Sequence, residues 1–277
     1  MTAEPRATGD DDVEIALDAA QVDGGAAVGR VVAGARAGSL LDRRVLIGPS
    51  DPCGECDVCR RGGAAVCPGA RRRELRGATI TAAARWLVPL GDGLDLPLPA
   101  AAAVAGDVAI AYTLYARTGV GPREPVVVLG GTPIGRFLIE ILIAKGIQPA
   151  VIAADGAWAD WLRERGVTIA LDRAALAAVF ARGDHGTRPW RVICADPAGV
   201  AAAAELAGPR ATLTALAGGA ALPGEVLSRE VAIVGVAGPH PDLVVEAAAL
   251  CVKREVDVVA GTSLVAEPLR THVRTVG

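Results

Sequence analysis

Residues 125–155, PVVVLGGTPIGRFLIEILIAKGIQPAVIAAD, decide the fold of this chain. A β-branched run leads through a glycine-rich turn into an apolar helix-like segment, and a second strand-like run follows. This order of strand, helix and strand predicts parallel strands joined by a covering helix. Further strand patterns, separated by helix-like sequence, occur at 190–196, 211–219 and 231–238. The sequence therefore predicts a doubly wound α/β domain with a parallel sheet.

The part of the chain before this domain is predicted to be mainly β. Short strand-like runs occur at 13–17 (VEIAL), 28–33 and 44–48 (RVLIG), and Gly and Asp bound them. Pro97 and Pro99 mark a crossing into the α/β part, because proline cannot continue a strand ladder or a helix interior.

Composition excludes several classes of function. The net charge is −3 with interspersed signs, which argues against nucleic-acid or anionic-membrane partners. The start, MTAEPRATGDDD, lacks the pattern of a secretory signal, so we expect the cytoplasm. Asp107 interrupts one apolar run, and charged residues interrupt another, so neither is expected to span a membrane. The six cysteines favour metal ligation or burial over disulfides in that compartment.

Cys53, Cys56, Cys59 and Cys67 form the most specific motif, with the spacing C-x2-C-x2-C-x7-C. Thiolates are soft donors, and four of them at short spacings close a tetrahedral shell around Zn²⁺. A closed shell leaves no position for a substrate, so we expect one structural zinc ion per chain. Unrelated free thiols and an iron–sulfur cluster are the alternatives.

The glycine-rich turn has the position of a dinucleotide-binding turn, between a strand and a helix. It consists of Gly130, Gly131, Thr132, Pro133, Ile134 and Gly135. Thr132 replaces the glycine that lets the backbone approach a diphosphate, which argues for weakened binding. Asp155, at the end of the next predicted strand, is placed to accept hydrogen bonds from a ribose and indicates NAD(H) as the candidate cofactor. A helix N-cap or loop aspartate is the alternative.

With these motifs, the chain resembles the zinc-containing medium-chain dehydrogenase/reductase superfamily, the alcohol dehydrogenase-like proteins. The resemblance covers roughly 12–260 and is carried by DRRVLIGPSDPCGECDVCRRGGAAVC, GGAAVGRVVAGA, VVVLGGTPIGRF and REVAIVGVAGPHPDL. Residues 94–120 are more weakly similar to 6-hydroxycyclohex-1-ene-1-carbonyl-CoA dehydrogenases. The resemblance implies a truncated GroES-like β-rich domain at 1–100, a Rossmann domain at 101–250 and a C-terminal return to the GroES-like domain at 251–277. Residues 262–277 look too short for its last helix and strand.

The resemblance also implies a catalytic zinc, but this sequence departs from the ligand pattern. No cysteine follows the first strand, and the Gly-His-Glu triplet is replaced by Gly24-Gly25-Ala26. The third ligand position falls on or beside Asp107, which is the one weak catalytic candidate. None of the three histidines, His185, His240 and His272, matches a ligand position. One carboxylate cannot hold a catalytic zinc.

Three functions follow as hypotheses. The first is a non-catalytic or accessory paralogue, pairing through REVAIVGVAG as a homodimer or with an intact dehydrogenase paralogue. The second is a zinc-independent NAD(P)H-dependent oxidoreductase with Tyr112, Tyr115 or Asp107 at its pocket. The third is an acyl-CoA or small-molecule binding module, for which the basic run 71–73 could contact phosphate, although a charge run is usually a solvated face.

Overall fold

The structure is a computed structural model of the chain, and it describes residues 11–22, 24–34, 37–73, 75, 77–91, 96–152, 156–170, 172–181, 188–218, 222–263 and 270–276. The chain divides into two compact units. Unit 1 consists of Met1–Ile110 and Gly238–Gly277, and unit 2 consists of Ala111–Ala237. The domain boundaries expected at residues 100 and 250 stay predictions.

The N-terminal part of unit 1 is built from seven strands. They are β1 Asp12–Gln21, β2 Ala27–Ala33, β3 Arg44–Ile47, β4 Ser50–Asp51, β5 Arg71–Arg72, β6 Thr79–Ala83 and β7 Leu87–Pro89. Strand β1 alternates as its sequence predicts. Val13, Ile15 and Leu17 are buried in the core, whereas Glu14 is exposed and Ala16 is half-buried. The three β-runs expected from the sequence are confirmed as β1, β2 and β3.

A helical segment follows at Leu98–Thr118. It begins as α2 Leu98–Ala103, passes through a π-helical turn at Val104–Val108 and continues as α3 Ala109–Thr118. Pro97 is the N-cap residue and Pro99 lies in the first turn, where proline needs no helical partner for its nitrogen. The segment is long and apolar enough to cross a membrane, but 72% of its most apolar window is buried inside the protein. Burial on this scale is typical of a core helix.

Unit 2 contains a six-stranded parallel sheet. Its strands are β8 Val126–Leu129, β9 Pro149–Ile152, β10 Thr168–Ala170, β11 Arg191–Cys194, β12 Thr212–Leu216 and β13 Ala232–Val236. Their spatial order is β10-β9-β8-β11-β12-β13, the 3-2-1-4-5-6 order of a doubly wound dinucleotide-binding fold. Every strand pair in this sheet is parallel. The predicted doubly wound α/β architecture is confirmed.

Helices connect these strands, as parallel crossovers require. The remaining helices of the described chain are α1 Asp57–Arg60 in unit 1, then α4 Pro133–Ala144, α5 Ala157–Glu164, α6 Arg173–Ala181, α7 Val200–Leu206 and α8 Glu225–Ser228 in unit 2, and α9 Pro241–Val252 in unit 1. Helix α4 is almost completely buried from Gly135 to Leu142, which explains the apolar run after the glycine-rich turn.

The C-terminus returns to the sheet of unit 1. Strands β14 Thr262–Ser263 and β15 Thr271–Thr275 pair in parallel, and β15 pairs antiparallel with β1. The resulting sheet has the order β14-β15-β1-β2-β3-β7, with β6 also paired to β1. The strand of the return is thus present, because five residues suffice to pair with the end of β1. The expectation that residues 262–277 are too short for both a last helix and a last strand stays a prediction, since residues 264–269 lie outside the described part of the chain.

Candidate metal centre and dinucleotide turn

The four predicted cysteines come together in the loop between β4 and β5. Their sulfur atoms all lie within 4.8 Å of one another. The Sγ–Sγ distance is 3.5 Å for Cys67–Cys53, 3.8 Å for Cys56–Cys67 and 4.0 Å for Cys53–Cys59. Four sulfurs placed about 2.3 Å from a central zinc ion lie about 3.8 Å apart. The cluster therefore has the size of a tetrahedral zinc site, and no disulfide joins its members.

Local sequence shapes this loop around the sulfurs. Gly54 and Gly62 adopt positive φ angles of 76° and 79°, which favour glycine. Cys56 is the N-cap of α1, where its sulfur accepts a hydrogen bond from the Cys59 amide at 3.4 Å. The Cys53 amide donates to the Cys67 sulfur at 3.3 Å. Backbone N–H groups aimed at sulfur stabilise thiolates, the form that binds metal.

The protonation of the cluster is uneven. Backbone N–H groups of Glu55 and Cys56 lower the pKa of Cys53 to about 6. Burial among the other thiols raises the pKa of Cys59 to about 12. Sulfurs this close cannot all be ionised without a counter-cation. A divalent ion at the centre would supply that charge.

The loop has little core of its own. Within 53–70, the buried residues are Ala64 and Cys67. Three hydrogen bonds tie the loop to other parts of unit 1: Trp86 Nε1 donates to the Pro52 carbonyl at 2.8 Å, Arg85 Nη2 donates to the Cys53 carbonyl at 3.1 Å, and His240 Nε2 lies 2.7 Å from the Gly62 carbonyl. With so little apolar burial, a metal ion held by the four thiolates would be a stronger constraint on the loop than its own packing.

Buried ion pairs form the base of the loop. Asp51 in β4 and Arg73 after β5 pair with each other, and their side chains are 3% and 4% exposed. Arg71 bonds Asp12 through two nitrogens at 2.7 and 2.8 Å and reaches Asp51 at 3.3 Å. Burial raises the pKa of Asp51 and lowers that of Arg73. Both directions favour the neutral forms, so the attraction within the pair only partly offsets its desolvation.

The region expected for a catalytic zinc holds a buried carboxamide. Gln21, at the end of β1, is 4% exposed, and its Oε1 has no hydrogen-bond partner among the described residues. A β-carbon on Gly24 or on Gly106 would overlap this carboxamide, and one on Gly106 would also lie 3.0 Å from Ala26 Cβ. The glycines at these positions therefore make room for the Gln21 side chain.

The Asp107 side chain, beside Gly106, makes a hydrogen bond within unit 1. Its Oδ2 accepts a hydrogen bond from Thr271 Oγ1 at 2.7 Å, which joins the π-helical turn to the start of β15. Among the described residues, the four cysteines are the one group of three or more His, Cys, Asp or Glu side chains close enough to share a metal ion. His272 lies in β15, and His185 lies outside the described residues.

The glycine-rich turn links β8 to α4, as predicted. Gly130 has a φ of 122°, and a β-carbon there would lie 3.0 Å from the Asp196 amide nitrogen. A β-carbon on Gly135 would overlap the Gly130 carbonyl oxygen. These two glycines therefore serve the tight turn and the close helix–strand packing that such turns require.

Thr132 has a local role in this turn. It is the N-cap of α4, with Pro133 as the first helical residue. Its Oγ1 accepts a hydrogen bond from the Gly135 amide at 3.1 Å and donates one to the Ala195 carbonyl at 3.2 Å. The hydroxyl thus takes up a helix amide that would otherwise face an anion. Asp155 lies outside the described residues.

Sequence reasoning missed three groups of residues in these sites: Gln21, the pair Asp51–Arg73, and Trp158. Trp158 packs against Gly131, where Cγ and Cδ1 would lie 3.1 Å from a β-carbon. The contacts of Asp51 with Arg73 and of Trp158 with Gly131 join positions distant in sequence, so no local pattern predicts them. Gln21 matches no ligand or nucleotide motif, so nothing in the sequence indicates its burial.

Known proteins resemble this chain over part of its sequence. No protein family model matches the chain. A curated relative, 2-dehydro-3-deoxy-L-galactonate 5-dehydrogenase of Pseudoalteromonas atlantica, is 27% identical over 140 residues, which are 47% of this chain and 39% of that protein. The matched part thus spans about two fifths of the relative's length.

Solved structures match over nearly the whole chain. D-arabinose dehydrogenase from Sulfolobus solfataricus has a TM-score of 0.80 at 16% identity, covering 96% of this chain and 93% of that one. Alcohol dehydrogenase TADH from Thermus sp. ATN1 has a TM-score of 0.80 at 16% identity, covering 95% and 88%. A putative zinc-binding dehydrogenase from Sinorhizobium meliloti, bound to NADP, has a TM-score of 0.74 at 19% identity, covering 94% and 86%. The chain therefore has the two-part fold, GroES-like and Rossmann, of the zinc-binding alcohol dehydrogenase-like proteins.

Proposed function

We propose that this chain is an alcohol dehydrogenase-like protein that binds one structural zinc ion, lacks a catalytic one, and serves as a non-catalytic or accessory paralogue. The observation that carries the proposal is the packing of the Gln21 carboxamide against Gly24 and Gly106. A catalytic zinc needs three protein ligands and an open fourth position. Here the neutral Gln21 side chain fills the space beside Gly24 and Gly106, which have no side-chain atom that could bind a metal.

The structural zinc has a separate role. Four thiolates can hold the ion in a closed shell, and the ion then fixes a loop that has almost no apolar core. The apparent binding free energy of such sites is about 10–16 kcal/mol at neutral pH, so metal binding is also loop folding. Because the ligands must be reduced, we expect the protein in the cytoplasm.

The accessory role requires a partner, and strand β13 offers the surface. It is the edge strand of the parallel sheet and pairs with β12 on its other side. Ile233 is 40% exposed, and Leu227 in the preceding helix is 79% exposed. An exposed edge strand with apolar side chains is a template for pairing. We propose a second copy of this chain as the partner, or an intact dehydrogenase paralogue with the same edge.

A metal count on the purified protein tests the proposal. We expect one zinc per chain for the wild type and none for the double variant Cys53→Ala/Cys56→Ala. The matched control Cys194→Ala, which alters a cysteine buried in β11, keeps one zinc. Alcohol oxidation with NAD or NADP should stay at the background rate for all three proteins. Two zinc ions per wild-type chain, or turnover that chelation abolishes, would overturn the proposal.

A second candidate function is a zinc-independent NAD(P)H-dependent oxidoreductase. Its support is the retained geometry of Gly130 and Gly135 in a sheet with dinucleotide-binding order. Reduction of quinones or enones by NADPH in the zinc-free variant would establish it. An acyl-CoA binding module has less support, because Arg71 and Arg73 are already paired with Asp12 and Asp51.

A further inference from the structure

Helix α5 carries an aromatic stack that ends on the glycine-rich turn. The rings of Trp158 and Trp161 lie parallel, with an interplanar angle of 9° and centroids 5.2 Å apart. Trp158 also touches Gly131: a β-carbon there would lie 3.1 Å from ring atoms Cγ and Cδ1. The indole therefore covers part of the backbone of the turn.

Two guanidinium groups extend the stack beyond Trp161. Arg165 Cζ lies 4.0 Å and Arg136 Cζ lies 5.3 Å from the Trp161 ring centroid. Glu140 on α4 faces both cations, with its Oε1 3.6 Å from Arg136 and 3.8 Å from Arg165. Cation–π contacts of this kind are attractive, and they strengthen when water is excluded. The stack is thus braced from α4 and is held against the turn.

The indole nitrogens show that this arrangement has a cost. Among the described residues, Nε1 of Trp158 and Nε1 of Trp161 are both buried without a hydrogen-bond partner. A buried donor left unsatisfied carries a desolvation penalty. The rings are therefore held by packing against the turn and the guanidinium groups and not by hydrogen bonds of the indole nitrogens.

A dinucleotide needs the same place. In this fold the diphosphate lies close to the backbone of the first turn and at the start of the following helix. Trp158 lies against that backbone, and Thr132 Oγ1 already binds the Gly135 amide at the helix start. A diphosphate lying against this side of the turn would compete with the indole for the space beside Gly131.

We propose that Trp158 occupies part of the dinucleotide site at the Gly130–Gly135 turn and that its side chain opposes NAD(P) binding by this chain. The proposal deepens the proposed function, because absence of nucleotide binding would be one reason for absence of catalysis. Any nucleotide that binds must displace the indole and break its stack with Trp161.

Calorimetric titration of NADH and NADPH tests the proposal on the full-length, zinc-loaded protein. We expect Trp158→Ala to bind at least one nucleotide at least about tenfold more tightly than the wild type, a change equivalent to about 1.4 kcal/mol. Trp158→Phe, which keeps an apolar ring of smaller area, should show a smaller gain and guards against a folding defect in the alanine variant. Trp190→Ala is the matched control, because Trp190 is 54% exposed in the same unit, and it should leave affinity unchanged.

The proposal is overturned if neither Trp158 variant binds a nucleotide more tightly than the wild type does. If both variants bind more weakly than the wild type, Trp158 is instead part of a stacking platform for the nucleotide. Zinc content and turnover of the wild type are measured on the same samples. A second zinc or zinc-dependent turnover contradicts the proposed function, whereas the change in affinity alone decides the role of Trp158.

Discussion

Gly106 lies in the π-helical turn Val104–Val108, where the Gln21 carboxamide takes the space of its missing side chain. We expect Gly106→Ala to destabilise the protein by about 1–3 kcal/mol, because overpacking a buried site forces displacement of its neighbours. In a Gln21→Ala background the same substitution should cost much less, because the overlap with the carboxamide is gone. The helix preference of alanine over glycine, roughly 1 kcal/mol, then acts against the remaining 3.0 Å approach to Ala26 Cβ. Urea unfolding followed by circular dichroism measures both penalties.

Gly48→Ala is the matched control for this pair, because a β-carbon at Gly48 meets no atom within 4 Å. It should change the free energy of unfolding by less than about 0.5 kcal/mol. An equal penalty for Gly106→Ala in both backgrounds would show that Gln21 is not what fills the site.

At the scale of single residues, the sequence predicts contacts only between residues that lie close together in the chain. The four cysteines lie within one short loop, so their spacing alone predicts that they converge. Gln21 and Gly106 are far apart in the chain, and each is unremarkable where it stands. Their contact depends on how β1 packs against the π-helical turn, which no periodicity encodes.

Strands β4 and β5 close the base of the cysteine loop through the pair Asp51–Arg73. We expect Arg73→Met to lower the free energy of unfolding by about 3 kcal/mol at neutral pH, because it leaves the Asp51 carboxylate buried with a weaker partner. Burial already raises the pKa of Asp51, and loss of Arg73 raises it further. The penalty should therefore shrink as the pH falls through that raised pKa, since a protonated carboxyl needs no cation.

Denaturant titrations at a series of pH values measure this penalty. The double variant Arg73→Met/Asp51→Asn should be more stable than Arg73→Met at neutral pH, and Arg60→Met is the control because its pair with Asp57 is exposed. Exposed pairs contribute about 0–1 kcal/mol. A penalty for Arg73→Met that does not vary with pH would refute the argument.

The sequence predicts helices and strands that have a strong apolar pattern of their own. It does not predict a strand that forms only because it pairs with a strand far away in the chain. The strands β8, β11 and β12 are apolar runs of the kind that parallel sheets bury on both faces, so their prediction needed no partner. Strand β15 has only five residues, THVRT, and becomes a strand because β1 extends to Gln21 and pairs with it. Similarly, Thr132 looked like a defect in a nucleotide motif, whereas in the structure it caps α4.

At the scale of the whole molecule, the change from alternating to strand-helix-strand patterning predicted both the β-rich part and the doubly wound α/β part of the fold. The crossovers between parallel strands are expected to be right-handed, but this rule alone does not fix the strand order that unit 2 adopts. Patterning cannot predict which side chains fill the space beside the glycines of the two proposed sites. That depends on a few residues at contacts between distant elements, such as Gln21 at one turn and Trp158 at another.

The exposed edge of unit 2 leads to a prediction about assembly. We expect the wild type to sediment as a dimer at micromolar concentration, because strand pairing through β13 would bury Ile233 and satisfy the edge hydrogen bonds. Ile233→Lys should shift it to a monomer, since a charge at the centre of a pairing edge must be desolvated on association. Ile143→Lys is the matched control, because Ile143 on α4 is similarly exposed, at 43%, and should leave the dimer intact. Analytical ultracentrifugation distinguishes the outcomes: a wild-type monomer over this range would remove the homodimer and leave an intact paralogue as the partner to seek, whereas a dimer that survives Ile233→Lys would place the interface elsewhere on the molecule.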